Sequence, residues 1–157
     1  MTYLTIKSLH ILSMILLFGT GLGSAFYKFM ADMHGDVRAI YTTNKHVVLA
    51  DWLFTTPTIL IQPLTGYYLL QELPFPIATP WLLSSIILYL LAGACWLPVV
   101  VLQIRMRELS EQAVLQQTAL TPQYFDYARL WFWLGVPAFI AMILIVILMV
   151  LKPTLWS

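Results

Sequence analysis

Charge is scarce in this sequence. Eight lysines and arginines and seven aspartates and glutamates make only 10% of the 157 residues charged, where a soluble domain carries roughly a quarter. A water-soluble fold could not cover a core drawn from the 61% that is hydrophobic, which leaves lipid as the solvent. The formal net charge of +1 offers no clustered positive surface, so no nucleic-acid partner is implied. A single cysteine, Cys95, lies in an apolar run and excludes an intramolecular disulfide. No His-x-x-x-His spacing, internal repeat or low-complexity segment is present.

What the chain has instead is long apolar runs. Four of them, from about Tyr3 to Phe29, Val47 to Leu70, Trp81 to Gln103 and Leu130 to Leu151, each match the roughly twenty residues that cross a hydrocarbon core. The first is too long for the core of a signal peptide and lacks an obvious cleavage site, so it reads as a retained span. The expected fold is all-α, one four-transmembrane-helix bundle occupying residues 1–157 as a single domain. Thr79-Pro80 and Thr121-Pro122 each place a capping hydroxyl and a proline at a helix start. The second pair lies well ahead of the fourth apolar run. Residues 105–117 (RMRELSEQAVLQQ) contain good helix formers and no breaker, which predicts an extension of the third helix into water. Pro137 falls inside the fourth span, where membranes tolerate it.

Basic residues set an orientation. Lys28, Arg38, Lys45, Arg105, Arg107 and Arg129 flank the two loops on one side, against Lys7 and Lys152 on the other. The larger loops and the helix-3 extension are therefore expected in the cytoplasm, with both termini outside. Aromatic residues, Trp81 and Trp156 on the outer side and Trp52 and Trp131 on the inner, stand at the expected interfaces.

Polar groups inside a bilayer are costly, so their spacing is informative. In the first span Tyr3, Lys7, His10, Met14, Leu17, Gly21, Ser24 and Lys28 share a helical face. In the second, Asp51, Thr55, Thr58, Gln62 and Thr65 form a cleaner stripe, and Ser85, Tyr89, Ala92 or Gly93, Trp96, Gln103 and Arg107 form a third, weaker one. The fourth span is almost wholly apolar and reads as packing. At 1.5 Å per residue, His10, Gln62 and Tyr89 all lie roughly 10–12 Å below the outer boundary, so they and Thr65 can meet at one level. Near the inner boundary Lys28, His34, His46, Asp51 and Arg107 form a second level, where Asp51 is expected to pair with Lys28, Lys45 or an arginine.

Two readings of His10 stand. A neutral imidazole is a good axial ligand for haem iron, and haem sites in bundles are built from facing helices. Gly21, with Gly19 and Gly23, would let a macrocycle approach the backbone. Alternatively His10 bonds Gln62 or Tyr89, and Gly19-x-x-x-Gly23 serves close helix contact. His34 and His46, with Asp32, Asp36 and Asp51, are weak candidates for a metal, with solvated loop histidines as the other reading. Asp51 is either a structural ion-pair partner or a proton-handling group.

The residues Lys7-Ser-Leu-His10-Ile-Leu, Gly21-Leu-Gly23, Val47-Val-Leu-Ala-Asp51-Trp-Leu-Phe-Thr-Thr-Pro57 and Gln62-Pro-Leu-Thr-Gly66 resemble a bacterial family of predicted integral membrane proteins along essentially the whole chain. The Lys-x-x-His opening and the Thr-Thr-Pro of the second helix are more distantly similar to HemJ-type protoporphyrinogen oxidases, and loosely to CopD-like membrane proteins. The HemJ-type resemblance implies haem b on His10. The chain has Phe26-Tyr27-Lys28 where those oxidases carry a Tyr-His pair near an arginine, so their reaction does not carry over.

These readings imply a multi-pass protein of a bacterial inner membrane. Its leading function is a b-type haem redox protein, with His10 as ligand, Gln62, Thr65 and Tyr89 around it, and a quinol or porphyrin-like reductant. A non-enzymatic subunit or assembly factor of a larger membrane complex is the alternative. Transport of a small solute by a homo-oligomer is the third reading.

Overall fold

The computed structural model describes residues 2–73 and 75–155; Trp156 lies outside them. Every regular element among the described residues is helical, in four long helices: α1 (Thr2–His34), α2 (Val37–Gln71), α3 (Pro80–Gln116) and α4 (Pro122–Leu151). All four are long and apolar enough to cross a membrane. Their outward surfaces carry large exposed apolar side chains such as Leu12, Leu64, Leu90 and Val150, as lipid contact requires.

The helices outrun the apolar runs. α1 continues past Phe29 to His34, α3 continues unbroken through residues 105–116, and α4 begins at Pro122, well before the apolar run. The predicted extension of the third helix and the early start of the fourth are both present. Neither Thr79 nor Thr121 caps its helix by its side chain. The Thr79 hydroxyl donates instead to the Pro76 carbonyl at 2.6 Å, tightening the preceding loop.

At the other end of the bundle α1 turns into α2 through Gly35-Asp36. Gly35 sits at φ +74°, a left-handed conformation that a side chain would resist. Asp36 then caps α2 by accepting from the Arg38 backbone N–H at 2.9 Å.

One irregularity shapes the middle of the bundle. Residues Asp51–Thr55 of α2 form a π-helical turn, ending two residues before Pro57, whose missing N–H already breaks the ladder. Ahead of this turn α2 packs against both α1 and α3; beyond it α2 keeps α1 but parts from α3. Pro63 frees a second carbonyl, that of Ile59, four residues earlier. The Tyr89 hydroxyl on α3 donates to that carbonyl at 2.6 Å, bridging the gap between the diverging helices.

The close-packed core lies near the tight-turn end, where Ile40, Val99, Leu102, Met106, Tyr124 and Trp131 cluster. Beside it a buried polar network joins all four helices. Lys28, fully buried, donates to Asp32 Oδ2 at 2.8 Å and to the Tyr124 hydroxyl at 3.1 Å. Tyr124 donates to Asp32 Oδ1 at 2.6 Å. Asn44 donates to Tyr124 Oη and to the Ser110 hydroxyl. The Lys28 ammonium also lies 5.2 Å from the Trp131 ring centroid.

Two sequence expectations are corrected by this network. Lys28 pairs with Asp32 in its own helix, not with Asp51, because the i,i+4 spacing brings the two together. The fourth helix is not only packing, since Tyr124 is the hub of the network.

A central cavity with unpaired polar walls

Where α2 parts from α3, the four helices border an open-sided cavity of about 380 Å³, within the roughly 300–1,000 Å³ range of small-molecule sites. Its walls are mostly apolar and aromatic, including Phe18 on α1 and Phe139 on α4, whose rings stack at 5.1 Å. Leu22, Phe132 and Ile140 line it and are also exposed at the bundle surface, so it communicates with lipid between α1 and α4.

Its polarity is concentrated in a few atoms. Among the described residues four buried side-chain atoms lack a hydrogen-bond partner: Asp51 Oδ2, Gln103 Oε1, Trp96 Nε1 and Trp131 Nε1. All four residues line this cavity. The other carboxylate oxygen of Asp51 is engaged, accepting from the Thr55 hydroxyl at 2.8 Å. The Gln103 amide lies beside the Asp51 carboxyl without making a hydrogen bond to Oδ2. A smaller recess of about 250 Å³ on the lipid-facing side of α2 and α3 shares Asp51, Trp96 and Gln103 with the cavity. Buried polar atoms are nearly always paired, so four unpaired ones in residues of three helices around one cavity mark the site.

The polar stripe of α2 is where the sequence places it: Asp51, Thr55, Thr58, Gln62 and Thr65 are all buried. His10, Gln62 and Thr65 meet. Gln62 Nε2 donates to the His10 carbonyl at 2.8 Å and to the Ser13 hydroxyl at 2.7 Å, and His10 Nδ1 lies 2.8 Å from Thr65 Oγ1. The Thr65 hydroxyl also lies 2.6 Å from the Ile61 carbonyl and 3.2 Å from the Gln62 carbonyl, so whether the imidazole or the hydroxyl supplies the proton between His10 and Thr65 depends on the tautomer. The ring lies over Gly66, where an added Cβ would stand 3.4 Å from His10 Cε1.

Tyr89 and Gly21 do not join this group; both line the cavity. His10 does not. The first α1 residue on the cavity wall is Leu17, about 10 Å along the helix from His10. His10 is thus set apart from the cavity along α1.

A methyl group added at Gly19 or Gly23 would meet no atom within 4 Å, so within the chain these glycines make no close helix contact. His34 and His46 are exposed, and His34 Nδ1 bonds the Met30 carbonyl of its own helix. No group of three or more potential metal ligands occurs among the described residues.

Reasoning from sequence missed the roles of Trp131, Asn44, Ser110 and Tyr124. Tyr124 and Trp131 stand seven residues apart, on one helical face, and that spacing was the available signal.

No curated protein and no solved structure matches the chain, so the likeness to HemJ-type and CopD-like proteins gains no support from them. A family profile described as "Predicted integral membrane protein (DUF2269)" matches residues 4–153. With four membrane-length helices and a match over nearly its whole length, the chain belongs to this family of multi-pass integral membrane proteins.

Proposed function

We propose that this protein is a membrane-embedded binding protein for a lipophilic, ring-bearing small molecule of the quinone or porphyrin class, held in the central cavity. The observation that carries this reading is a mostly apolar cavity whose few polar lining residues, Asp51, Trp96, Gln103 and Trp131, each keep a buried atom without a hydrogen-bond partner. A ligand with an apolar body and a few oxygen or nitrogen atoms would satisfy them and fill the space. The opening between α1 and α4 gives such a molecule a route from lipid. Asp51, the one carboxylate on the wall, would hold or move a proton at its Oδ2. The test is organic extraction of the purified protein, with mass spectrometry of the lipophiles retained. Enrichment of one ring-bearing compound over bulk lipid, lost when Ala92→Trp fills the cavity, is the expected result. Equal recovery from wild type and Ala92→Trp would overturn it.

A second reading, haem b ligated by His10, is favoured by the hydrogen bond that holds its Nδ1 at Thr65. Haem would supply one-electron chemistry, while Thr65 and Gln62 fix the imidazole and its backbone in the manner of groups that orient metal-bound histidines. Dithionite-reduced spectra of purified protein test this. A b-type spectrum lost in His10→Ala and retained in His34→Ala supports it, and equal retention in both sinks it.

A further inference from the structure

The size of the cavity and its open side constrain what it can hold. An engineered apolar cavity of about 150 Å³ takes benzene. On that scale the 380 Å³ here has room for about fifteen non-hydrogen atoms, one or two fused six-membered rings with small substituents. A porphyrin ring alone has about two dozen, more than the space admits. Phe18 from α1, Trp96 from α3, and Trp131 and Phe139 from α4 line the cavity with aromatic rings, the company that a flat ring prefers.

The opening has a shape of its own. α1 and α4 hardly approach along their backbones, and aromatic pairs bridge them: Phe18–Phe139 at 5.1 Å and Phe29–Phe132 at 5.9 Å between ring centroids. Between these bridges stand Gly21 and Gly135, both on the cavity wall, and a Cβ added to either would meet nothing within 4 Å. The resulting slit runs about 10 Å along α4, and Leu22 and Phe132 at its lips are apolar and exposed. On the other side Asp51, Trp96 and Gln103 line both the cavity and the smaller recess, so an apolar chain leaving that way would have to pass the most polar part of the wall.

Resting on the reading of the cavity as a ligand site, we propose that its ligand is a tailed ring lipid: a one- or two-ring head of the quinone class inside the bundle, with an apolar tail leaving through the slit between α1 and α4. Glycine at positions 21 and 135 gives the tail its passage, because a side chain there would fill the open space. The tail meets hydrocarbon all the way from the slit into the bilayer, so its length is free and selectivity lies in the head.

The experiment is isothermal titration of the whole protein in lipid nanodiscs, referenced to empty nanodiscs. The probes are a decyl-tailed benzoquinone, trimethylbenzoquinone without a tail, and mesoporphyrin. Saturable binding of both quinones and none of the porphyrin is the expected result. Gly135→Leu puts a branched side chain in the slit and should weaken the tailed quinone about tenfold or more, while changing the tailless one by less than about threefold. Gly23→Leu, on α1 but off the cavity wall and equally unobstructed, should change neither. Equal weakening of both quinones in Gly135→Leu, or weakening of neither, would overturn the path given to the tail. Saturable porphyrin binding, with or without the quinones, would overturn the choice of head and leave the cavity a ligand site. Absence of saturable binding by any probe would overturn this inference and the proposed function together.

Discussion

Replacing Asp32 should destabilise the bundle more than replacing Lys28, although the two form one ion pair. Lys28 and Asp32 meet at 2.8 Å, but the lysine side chain is 1% exposed and the aspartate 18%. Asp32→Asn removes the negative charge and leaves an ammonium that water cannot reach, with an amide, the Tyr124 phenol and the Trp131 ring around it. An uncompensated buried charge costs about 3–5 kcal/mol. Lys28→Met removes the less accessible charge. Asp32 keeps the Tyr124 hydroxyl as a donor at 2.6 Å and its access to solvent, while the methionine packs against the Tyr124 and Trp131 rings. The expected loss is about 1–2 kcal/mol, the worth of the charge-assisted bonds given up. The double variant buries no charge, so it should be more stable than Asp32→Asn alone, a departure from additivity of about 2 kcal/mol. Reversible unfolding in mixed micelles of rising SDS fraction, followed by far-ultraviolet circular dichroism, measures all four species. If Lys28→Met proves the costlier single change, or if the two losses simply add, the burial argument fails.

Three further outcomes are expected. Tyr89→Phe orphans the Ile59 carbonyl and should cost about 1 kcal/mol in the same unfolding assay; in a Pro63→Ala background, where residue 63 regains its N–H, the same change should cost little. Gly19→Ala and Gly23→Ala should leave monomer stability within about 0.5 kcal/mol of wild type, because neither added methyl meets an atom; a large loss by either would reveal a contact absent from the single chain. With Cys95 replaced by alanine, Thr118→Cys should react with an impermeant maleimide only from the cytoplasmic side and Ile77→Cys only from the opposite side, as the six-to-two bias of basic residues requires; the reverse labelling would refute the orientation.

The helical architecture was legible because lipid imposes it. With no water to satisfy the backbone, an apolar run of sufficient length has one spanning solution available to it within a single segment. Stripe spacing was legible for the same reason: Asp51, Thr55, Thr58, Gln62 and Thr65 share the face that had to meet protein, and all five are buried, while Thr56, off that face, is only half-buried. The partners of those side chains were harder to read. Spacing placed His10, Gln62 and Thr65 at one level and they do meet, but it placed Tyr89 there too. Tyr89 is drawn away to the Ile59 carbonyl, because a free carbonyl in an apolar interior is a stronger demand than another side chain already served by its neighbours.

The cavity itself could not be read from a helical wheel. A regular α-helix through residues 37–71 would keep one face towards α3 along its length. The π turn at residues 51–55 inserts extra winding, shifting the face presented by every later residue, and Pro57 follows before the ladder recovers. That local departure is what separates the second half of α2 from α3. It also explains why Asp51 stands at the cavity wall: the carboxylate opens the irregular turn, and Thr55, at its other end, bonds one oxygen while the second stays buried without a partner. If that space served packing alone, an apolar residue at position 51 would cost the fold nothing and remove an unpaired charge-bearing group. An isosteric Asp51→Leu chain should accordingly be at least as stable as wild type in detergent while losing its ligand. A less stable Asp51→Leu chain would instead place the carboxylate among the groups that hold the π turn together.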